Sequence, residues 1–309
     1  MGKNISIVIV THNSESVIGR LLERILSQSV KANNVIIVDT ASTDQTVAII
    51  NNYITILKIT LHVAKENIGG AGGFNIGLQE AINISSDFVI TLDDDAVLES
   101  DDFIKILLNK KIEYDLDVIA PIVVDIKNRS KTAFLYNIEG IKYSDLNEIK
   151  KHKLIRDDLK LFNGSLFDCN VIKTIGYPNP IFFIRGDEVE YKKRIIKYGF
   201  KLGVITENYV CHPTSLNERY KVGNNVFYHI DNKIKNFFSI RNKFYMYRTN
   251  LKGFKRIRKI FIESINYMFF YLIHRNLDFR GCYNYLISSS FGILGIMKND
   301  LKFLNRILL

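Results

Sequence analysis

Short apolar runs alternate with helical patterns through the first hundred residues, and two of those runs end in aspartate. Ile5-Ser6-Ile7-Val8-Ile9-Val10 is nearly continuous in β-branched residues, as expected of a strand covered on both faces. Thr11-His12-Asn13-Ser14 is a polar turn with Ser14 as candidate N-cap, and Val17, Ile18, Leu21, Leu22, Ile25 and Leu26 then repeat with helical period. Val35 to Val38 reads as a second strand ending at Asp39. Thr40 to Asp44 turns into a helix, with Ser42 and Gln45 spaced as a capping box. A third strand fits Ile59 to Val63, a fourth runs from Phe88 to Leu92, and a further one covers Val118 to Val124. This spacing predicts an α/β fold, a mostly parallel Rossmann-like sheet flanked by helices.

The fourth strand runs straight into Asp93-Asp94-Asp95, with Glu99-Ser100-Asp101-Asp102 close behind. Ligands of open α/β sheets bind beyond the carboxyl ends of the strands, where this triplet falls. Adjacent carboxylates repel, and a cation relieves them; oxygen-only donors suit Mg²⁺ or Mn²⁺ bridging to phosphate. The competing reading is a solvated acidic turn that caps the next helix, Ser100 as N-cap and Asp101 and Asp102 in its first turn. Asp39 has two readings too: an acceptor for nucleobase or ribose donors on the same edge, or the start of a turn.

Glu66-Asn67-Ile68-Gly69-Gly70-Ala71-Gly72-Gly73-Phe74-Asn75-Ile76-Gly77 holds five glycines just before a helical pattern. Asn75 occupies the third glycine position of a dinucleotide fingerprint, and no Gly-Lys-Ser/Thr follows for a P-loop. The stretch is therefore either a tight structural turn or a floor of backbone N–H groups under a sugar or diphosphate.

In the second half, residues 125 to 160 are charged and weakly periodic and read as a loop or small insertion over the site. Leu161 to Cys169 resumes a strand pattern, and a helix-like segment ends at Gly176. Two prolines then bracket the approach to Ile181-Phe182-Phe183-Ile184-Arg185-Gly186-Asp187-Glu188-Val189-Glu190, at the mouth of a helix over Val189 to Tyr198. A carboxylate at a helix N-terminus beside apolar walls is well held to act as a general base, although simple helix-end charge gives the same pattern. The Arg-Gly-Asp triplet is treated as coincidence. Lys201 to Tyr209 reads as a strand ending in Val210-Cys211-His212-Pro213, where His212 is either structural or a metal ligand through neutral imidazole nitrogen.

The 309 residues are 47% hydrophobic, enough for one large domain or a domain with an appendage. Lys and Arg number 42 against 32 Asp and Glu, a formal charge of +10 that suits anionic partners. Three dispersed cysteines, Cys169, Cys211 and Cys282, predict neither disulfides nor zinc and fit a reducing compartment. The amino terminus leads directly into a strand, which predicts no signal peptide, and no uninterrupted apolar span of about 18 residues exists for a membrane crossing. From about Asn217 basic residues accumulate without acids between Lys233 and Lys259, and Phe237, Phe238, Phe244, Tyr245 and Tyr247 interleave. These helices either lie on an anionic bilayer face or pack on the core as a basic subdomain. No recognised nucleic-acid module accompanies them, so no nucleic-acid partner is expected.

Taken together, Ile7 to Asn13, Val38-Asp39 through Asp44, Asp93-Asp94-Asp95 and Asp187-Glu188-Val189-Glu190 resemble the motif series of inverting, metal-dependent family 2 glycosyltransferases of the GT-A fold. The Asn67 to Phe74 run and Cys211-His212-Pro213 are similar to their galactofuranosyltransferase and rhamnosyltransferase branch. The resemblance covers about residues 5 to 215. It implies a catalytic domain over 1–215; the basic, aromatic-rich helical region over 216–309 lies beyond it, and its composition is what predicts membrane association. It implies that Asp39 and Thr11 hold the uridine or thymidine end of a nucleotide-sugar donor, that Asn67 and Gly70 lie near its sugar and diphosphate, and that Asp93 and Asp94 contact it. Asp95, Asp93 and His212 would hold Mn²⁺ or Mg²⁺. Glu188 stands where the family base is usually Asp, which keeps Asp187 as the alternative. The donor implied is UDP-galactofuranose, then dTDP-rhamnose; the acceptor is a glycan or lipid-linked sugar at the cytoplasmic face of the cell membrane. A nucleotidyltransferase of nucleotide-sugar metabolism and a non-catalytic membrane-binding protein of the same fold are the alternatives.

Overall fold

The computed structural model describes residues 3–223 and 225–309, which divide into two compact units. The first comprises Met1–Pro180 and Tyr191–Leu216; the second comprises Ile181–Glu190 and Asn217–Leu309. The segment carrying Asp187 and Glu188 thus groups with the C-terminal residues, not with the sheet domain to which the sequence reading gave it.

The first unit begins β1 (Ile5–Thr11), α1 (Ile18–Leu26), β2 (Asn34–Asp39), α2 (Thr46–Asn51), α3 (Ile54–Leu57), β3 (Ile59–Val63), α4 (Gly69–Asn83) and β4 (Phe88–Asp93). It continues through β5 (Val97–Leu98), α5 (Phe103–Glu113), β6 (Val118–Asp125), β7 (Lys131–Ile138), β8 (Ile141–Asp145), α6 (Leu146–Lys150), β9 (Leu154–Arg156), β10 (Asn163–Asp168) and α7 (Cys169–Ile175). After α8 (Asp187–Lys197), whose first four residues count with the second unit, it closes with β11 (Leu202–His212). Residues 125–160 are therefore ordered strands and a helix; charge on the outer positions hides their alternation.

The sheet runs β3-β2-β1-β4-β10-β6-β11-β5, with β7 and β8 added through β6 and β9 through β11. β1, β2, β3 and β4 are mutually parallel, as are β6 and β11, while β10 lies antiparallel between the two groups. The expected parallel order thus holds within each group, and one reversed strand joins them. Alternate residues of β1 feed two cores: Val8 and Val10 face one with Phe74 and Leu78, and Ile5, Ile7 and Ile9 face another with Leu21, Leu22 and Ile25. That two-sided burial explains the unbroken β-branched runs.

Three expected helix caps are absent. Ser14 donates its hydroxyl to Asp94, and α1 starts only at Ile18. Ser42 donates to Asp39, and it is Asp44 that accepts from Thr46 N–H at 3.0 Å. Ser100 stops one turn short: its hydroxyl accepts from Asp102 N–H at 3.0 Å, and α5 begins after Asp102. In each case tertiary or turn partners outcompete the local cap for a short side chain.

The second unit contains β12 (Arg219–Val222), β13 (Asn225–Tyr228), α9 (Lys233–Asn250), α10 (Gly253–Phe269), continued by a π-helical stretch over Phe270–His274, α11 (Phe279–Leu294) and α12 (Leu301–Ile307). The β12–β13 hairpin within this mostly helical region was not legible from composition. Phe227, Phe244, Tyr267, Phe270, Tyr271 and Tyr285 form one of its aromatic cores. No helix among the described residues is long and apolar enough to cross a membrane.

Candidate active site

Parallel pairing sets the first unit's acidic edge. Thr11 is the register partner of Asp39, and Val10 is the partner of Asp93, so the carboxyl ends of β1, β2 and β4 are level. His212 pairs with Asp125 at the ends of β11 and β6. The end of β11 also reaches the triplet: His212 Nε2 lies 3.2 Å from Asp95 Oδ1 and 4.0 Å from Asp93 Oδ2. A histidine more than a hundred residues away in sequence thus lies beside the first and last of the three aspartates.

Asp94 points elsewhere. Its Oδ2 accepts from His12 N–H at 3.1 Å and from the Ser14 hydroxyl, tying β4 to the turn after β1. Burial, reinforced by Asp95, raises its pKa despite those hydrogen bonds. These bonds give Asp94 a bracing role between β4 and the turn after β1. Asp39 is fully buried, and its carboxylate accepts from Ser42 N–H at 2.9 Å and from the Ser42 hydroxyl. The turn-starting reading is the one this geometry displays; an ionised carboxylate retains further acceptor capacity for a ligand.

Among the described residues no group of three or more His, Cys, Asp or Glu side chains is placed to hold a metal ion. The donor chemistry nevertheless fits a cation. His212 Nδ1 is 2.7 Å from the Pro213 carbonyl, which can only accept, so the ring proton sits on Nδ1. In the neutral ring Nε2 is then a bare lone pair facing Asp95 Oδ1, which is buried and receives no well-formed hydrogen bond. Two lone pairs in that relation repel, and either a second ring proton or a cation beside them would relieve the repulsion. Donation of the second ring N–H to a backbone carbonyl is also how metal-binding histidines are oriented.

Other buried polar atoms without hydrogen bonds lie on this edge. Thr11 Oγ1 is beside Asp94 but too poorly aligned to satisfy it, and Asn163 Oδ1, at the start of β10 opposite Leu92, has no partner. Buried orphans of this kind call for an explanation, and a ligand edge supplies one. Asn163 was missed in the sequence, because an Asn-Gly-Ser turn carries no chemical signature.

The glycine-rich stretch is not a loop. Gly69 opens α4 with φ +69°, and the remaining glycines lie inside the helix. A Cβ on Gly73 or Gly77 would run into Val10 or Val8, so these two let α4 press against β1. At Gly70 an added Cβ meets nothing within 4 Å. Asn67 Oδ1 accepts from Gly69 N–H at 2.8 Å, which sets the helix entry. Packing at Gly72, Gly73 and Gly77 and the positive φ of Gly69 therefore explain most of the glycine content, and Gly70 faces open space.

In the second unit, Asp187 and Glu188 open α8 two residues earlier than the sequence suggested. Asp187 is 5% exposed; Glu188 is only partly buried, with Oε2 accepting from Gly186 N–H at 2.9 Å. Arg185 of the Arg-Gly-Asp triplet forms a two-pronged ion pair with Glu218 at 2.8 and 3.0 Å, which gives that triplet a structural use.

An α/β sheet of this order with an acidic carboxyl edge has the GT-A architecture, and comparison with known proteins supplies the family. The profile of glycosyl transferase family 2 matches residues 6–171, and the chain belongs to that family. It is 27% identical over 248 residues to galactofuranosyltransferase GlfT1 of Mycolicibacterium smegmatis, covering 77% of this chain and 81% of that one. It is 26% identical over 292 residues to GlfT1 of Mycobacterium tuberculosis, covering 93% and 94%. The structure of Staphylococcus aureus TarS 1-349 in complex with UDP-GlcNAc has the same fold, with a TM-score of 0.57 at 15% identity over 95% of this chain and 82% of that one. Family membership removes the nucleotidyltransferase alternative.

Proposed function

We propose that this glycosyltransferase moves a sugar from a nucleotide-diphosphate donor, UDP-galactofuranose first and dTDP-rhamnose second, to a glycan or lipid-linked acceptor of a bacterial surface polysaccharide. The observation that carries the donor assignment is the near end-to-end match to a galactofuranosyltransferase, 93% of this chain against 94% of the relative. Asp93, Asp95 and His212 would hold a divalent ion, which when bound would offset the charge of the diphosphate leaving group. Gly70, with open space beside it, and Asn67, which sets the entry of α4, would lie near the donor's sugar and diphosphate. Asp39 and Thr11 would receive the nucleoside end.

Glu188 takes the acceptor hydroxyl's proton as that oxygen attacks the anomeric carbon, and a single displacement with one base inverts the centre. Its exposure favours it over the buried Asp187.

The acceptor side would lie on the cytoplasmic membrane face. Along α10, Phe254, Ile257, Phe261 and Phe269 repeat at helical spacing and are each at least 60% exposed, beside the exposed Lys255, Arg258 and Lys259. An exposed apolar stripe with basic flanks suits an anionic interface. Two of the basic residues counted toward that face do not serve it: Arg241 is buried, and Lys243 pairs with Glu263.

Calorimetric titration with UDP and with dTDP, in Mn²⁺, Mg²⁺ or EDTA, tests the reading. UDP binding that is lost in EDTA is the expected result. A dTDP preference would move the donor to rhamnose; binding of neither nucleotide would overturn the proposal in favour of a non-catalytic membrane-binding protein.

A further inference from the structure

The loop that delivers Asp187 and Glu188 is held in a conformation it would not keep alone. Phe183, Arg185 and Gly186 have φ of +64°, +65° and +94°. For the two non-glycine residues that region is sterically disfavoured, because Cβ crowds the following carbonyl oxygen. Persistent strain of this sort requires surroundings that over-determine it, and it clusters where function needs a fixed geometry.

Two consecutive side chains of α9 do the fixing. Arg241 is fully buried and donates to the carbonyls of Ile181 at 2.9 Å and Phe182 at 3.1 Å, and to Lys298 O and Asn299 Oδ1, both at 2.9 Å. It also donates to Asn242 Oδ1 at 2.8 and 2.9 Å, which fixes which way the Asn242 amide faces. Asn242 Nδ2 in turn lies 2.9, 3.0 and 2.6 Å from the carbonyls of Phe182, Ile184 and Arg185. Four carbonyls of one short loop thus converge on one Arg-Asn pair.

The chemistry is unusual for a merely space-filling role. No carboxylate is among the hydrogen-bond partners of Arg241; oxygen dipoles and the Phe238 ring, 4.6 Å from the guanidinium carbon, stand in for a counter-ion. Burial pulls its pKa down to about 9, so it remains charged at neutral pH. Burying a cation without a counter-ion is costly in general, whereas an apolar side chain would fill the space without that cost. Gly186 completes the fit, since a Cβ there would stand 3.3 Å from Asn242 Cβ.

We propose that Arg241 and Asn242 are positioning residues for the catalytic base, a carbonyl clamp that sets the direction in which Asp187 and Glu188 leave the 181–186 loop. The proposal rests on the reading of that acidic pair as the base. It is tested in the full chain by Asn242→Ala, which removes no charge, with Arg241→Lys as the second variant. UDP affinity is measured by calorimetry, turnover with UDP-galactofuranose and a synthetic galactofuranosyl glycoside, and loop order by amide hydrogen exchange at residues 183–188. Misplacement of a base by about an ångström predicts a kcat loss of about 10²-fold. UDP affinity should stay within about threefold, and exchange at 183–188 should speed up. Combined with Glu188→Gln, Asn242→Ala should add less than about twofold, because residues acting as a unit are non-additive. Normal kcat in both clamp variants, with Glu188→Gln still inactive, would overturn the clamp and leave the base reading intact. Full turnover in both Glu188→Gln and Asp187→Asn would overturn the base reading itself, and the clamp with it.

Discussion

The molecule places two sets of carboxylates by different physical means. Asp39 and Asp93 to Asp95 sit at strand ends whose register is fixed by backbone pairing, so their level edge follows from the sheet. Asp187 and Glu188 follow a loop with three left-handed residues and depend on a few side-chain hydrogen bonds from α9. A ladder distributes its constraint over many equivalent bonds, whereas a clamp concentrates it in two residues. The sheet-edge set should therefore tolerate changes around it better than the loop set does.

The largest test of this contrast is chemical. Glu188→Gln should lower kcat by about 10³-fold while leaving UDP affinity intact, as expected when only proton transfer is lost. Steady-state kinetics beside calorimetry would separate the two. Asp95→Ala should cost about 10²-fold to 10³-fold in turnover and weaken UDP binding as well. EDTA should inactivate the parent but have no additional effect on this variant. Equal losses of nucleotide affinity in both variants would break the contrast.

Stability effects come next. Gly73→Ala should destabilise by about 1–3 kcal/mol in urea unfolding, because the new methyl meets Val10 where α4 presses on β1. Gly70→Ala should leave stability unchanged and weaken UDP binding, since its side faces open space. On α10, Phe261→Asp should reduce sedimentation with anionic vesicles by about tenfold through lost apolar insertion. That variant should leave UDP affinity of the sheet edge unaltered.

The smallest effect concerns Asp158. Burial alone would raise its pKa, but Lys160, the Asn137 N–H and Lys192 outweigh that and hold it below the ordinary carboxylate range. A depressed native pKa stabilises the fold above the unfolded value of about 3.9, and that stability is lost as pH falls through the native value. Acid unfolding of Asp158→Asn should show a shallower slope in that window.

The sequence was most legible where local pattern and tertiary role coincide. Unbroken β-branched runs announced strands buried on two faces, and the aspartates at their ends announced the edge. Ser14, Ser42 and Ser100 misled because a short hydroxyl chooses among nearby partners: Ser14 and Ser42 donate to Asp94 and Asp39, and Ser100 accepts from Asp102 N–H. The charged stretch from 125 to 160 hid its strands because only one side of them meets the core.

By itself the sequence determined the strand–helix order, the family and the acids available for chemistry, since these depend on residue type and spacing along the chain. Only the tertiary structure decided which of the three consecutive aspartates turns toward His212, which glycines serve packing, and that Arg241 belongs to the interior and not to a basic face. Those outcomes depend on distances between residues remote in sequence, where hydrogen-bond competition and close packing choose among partners that spacing alone leaves equivalent.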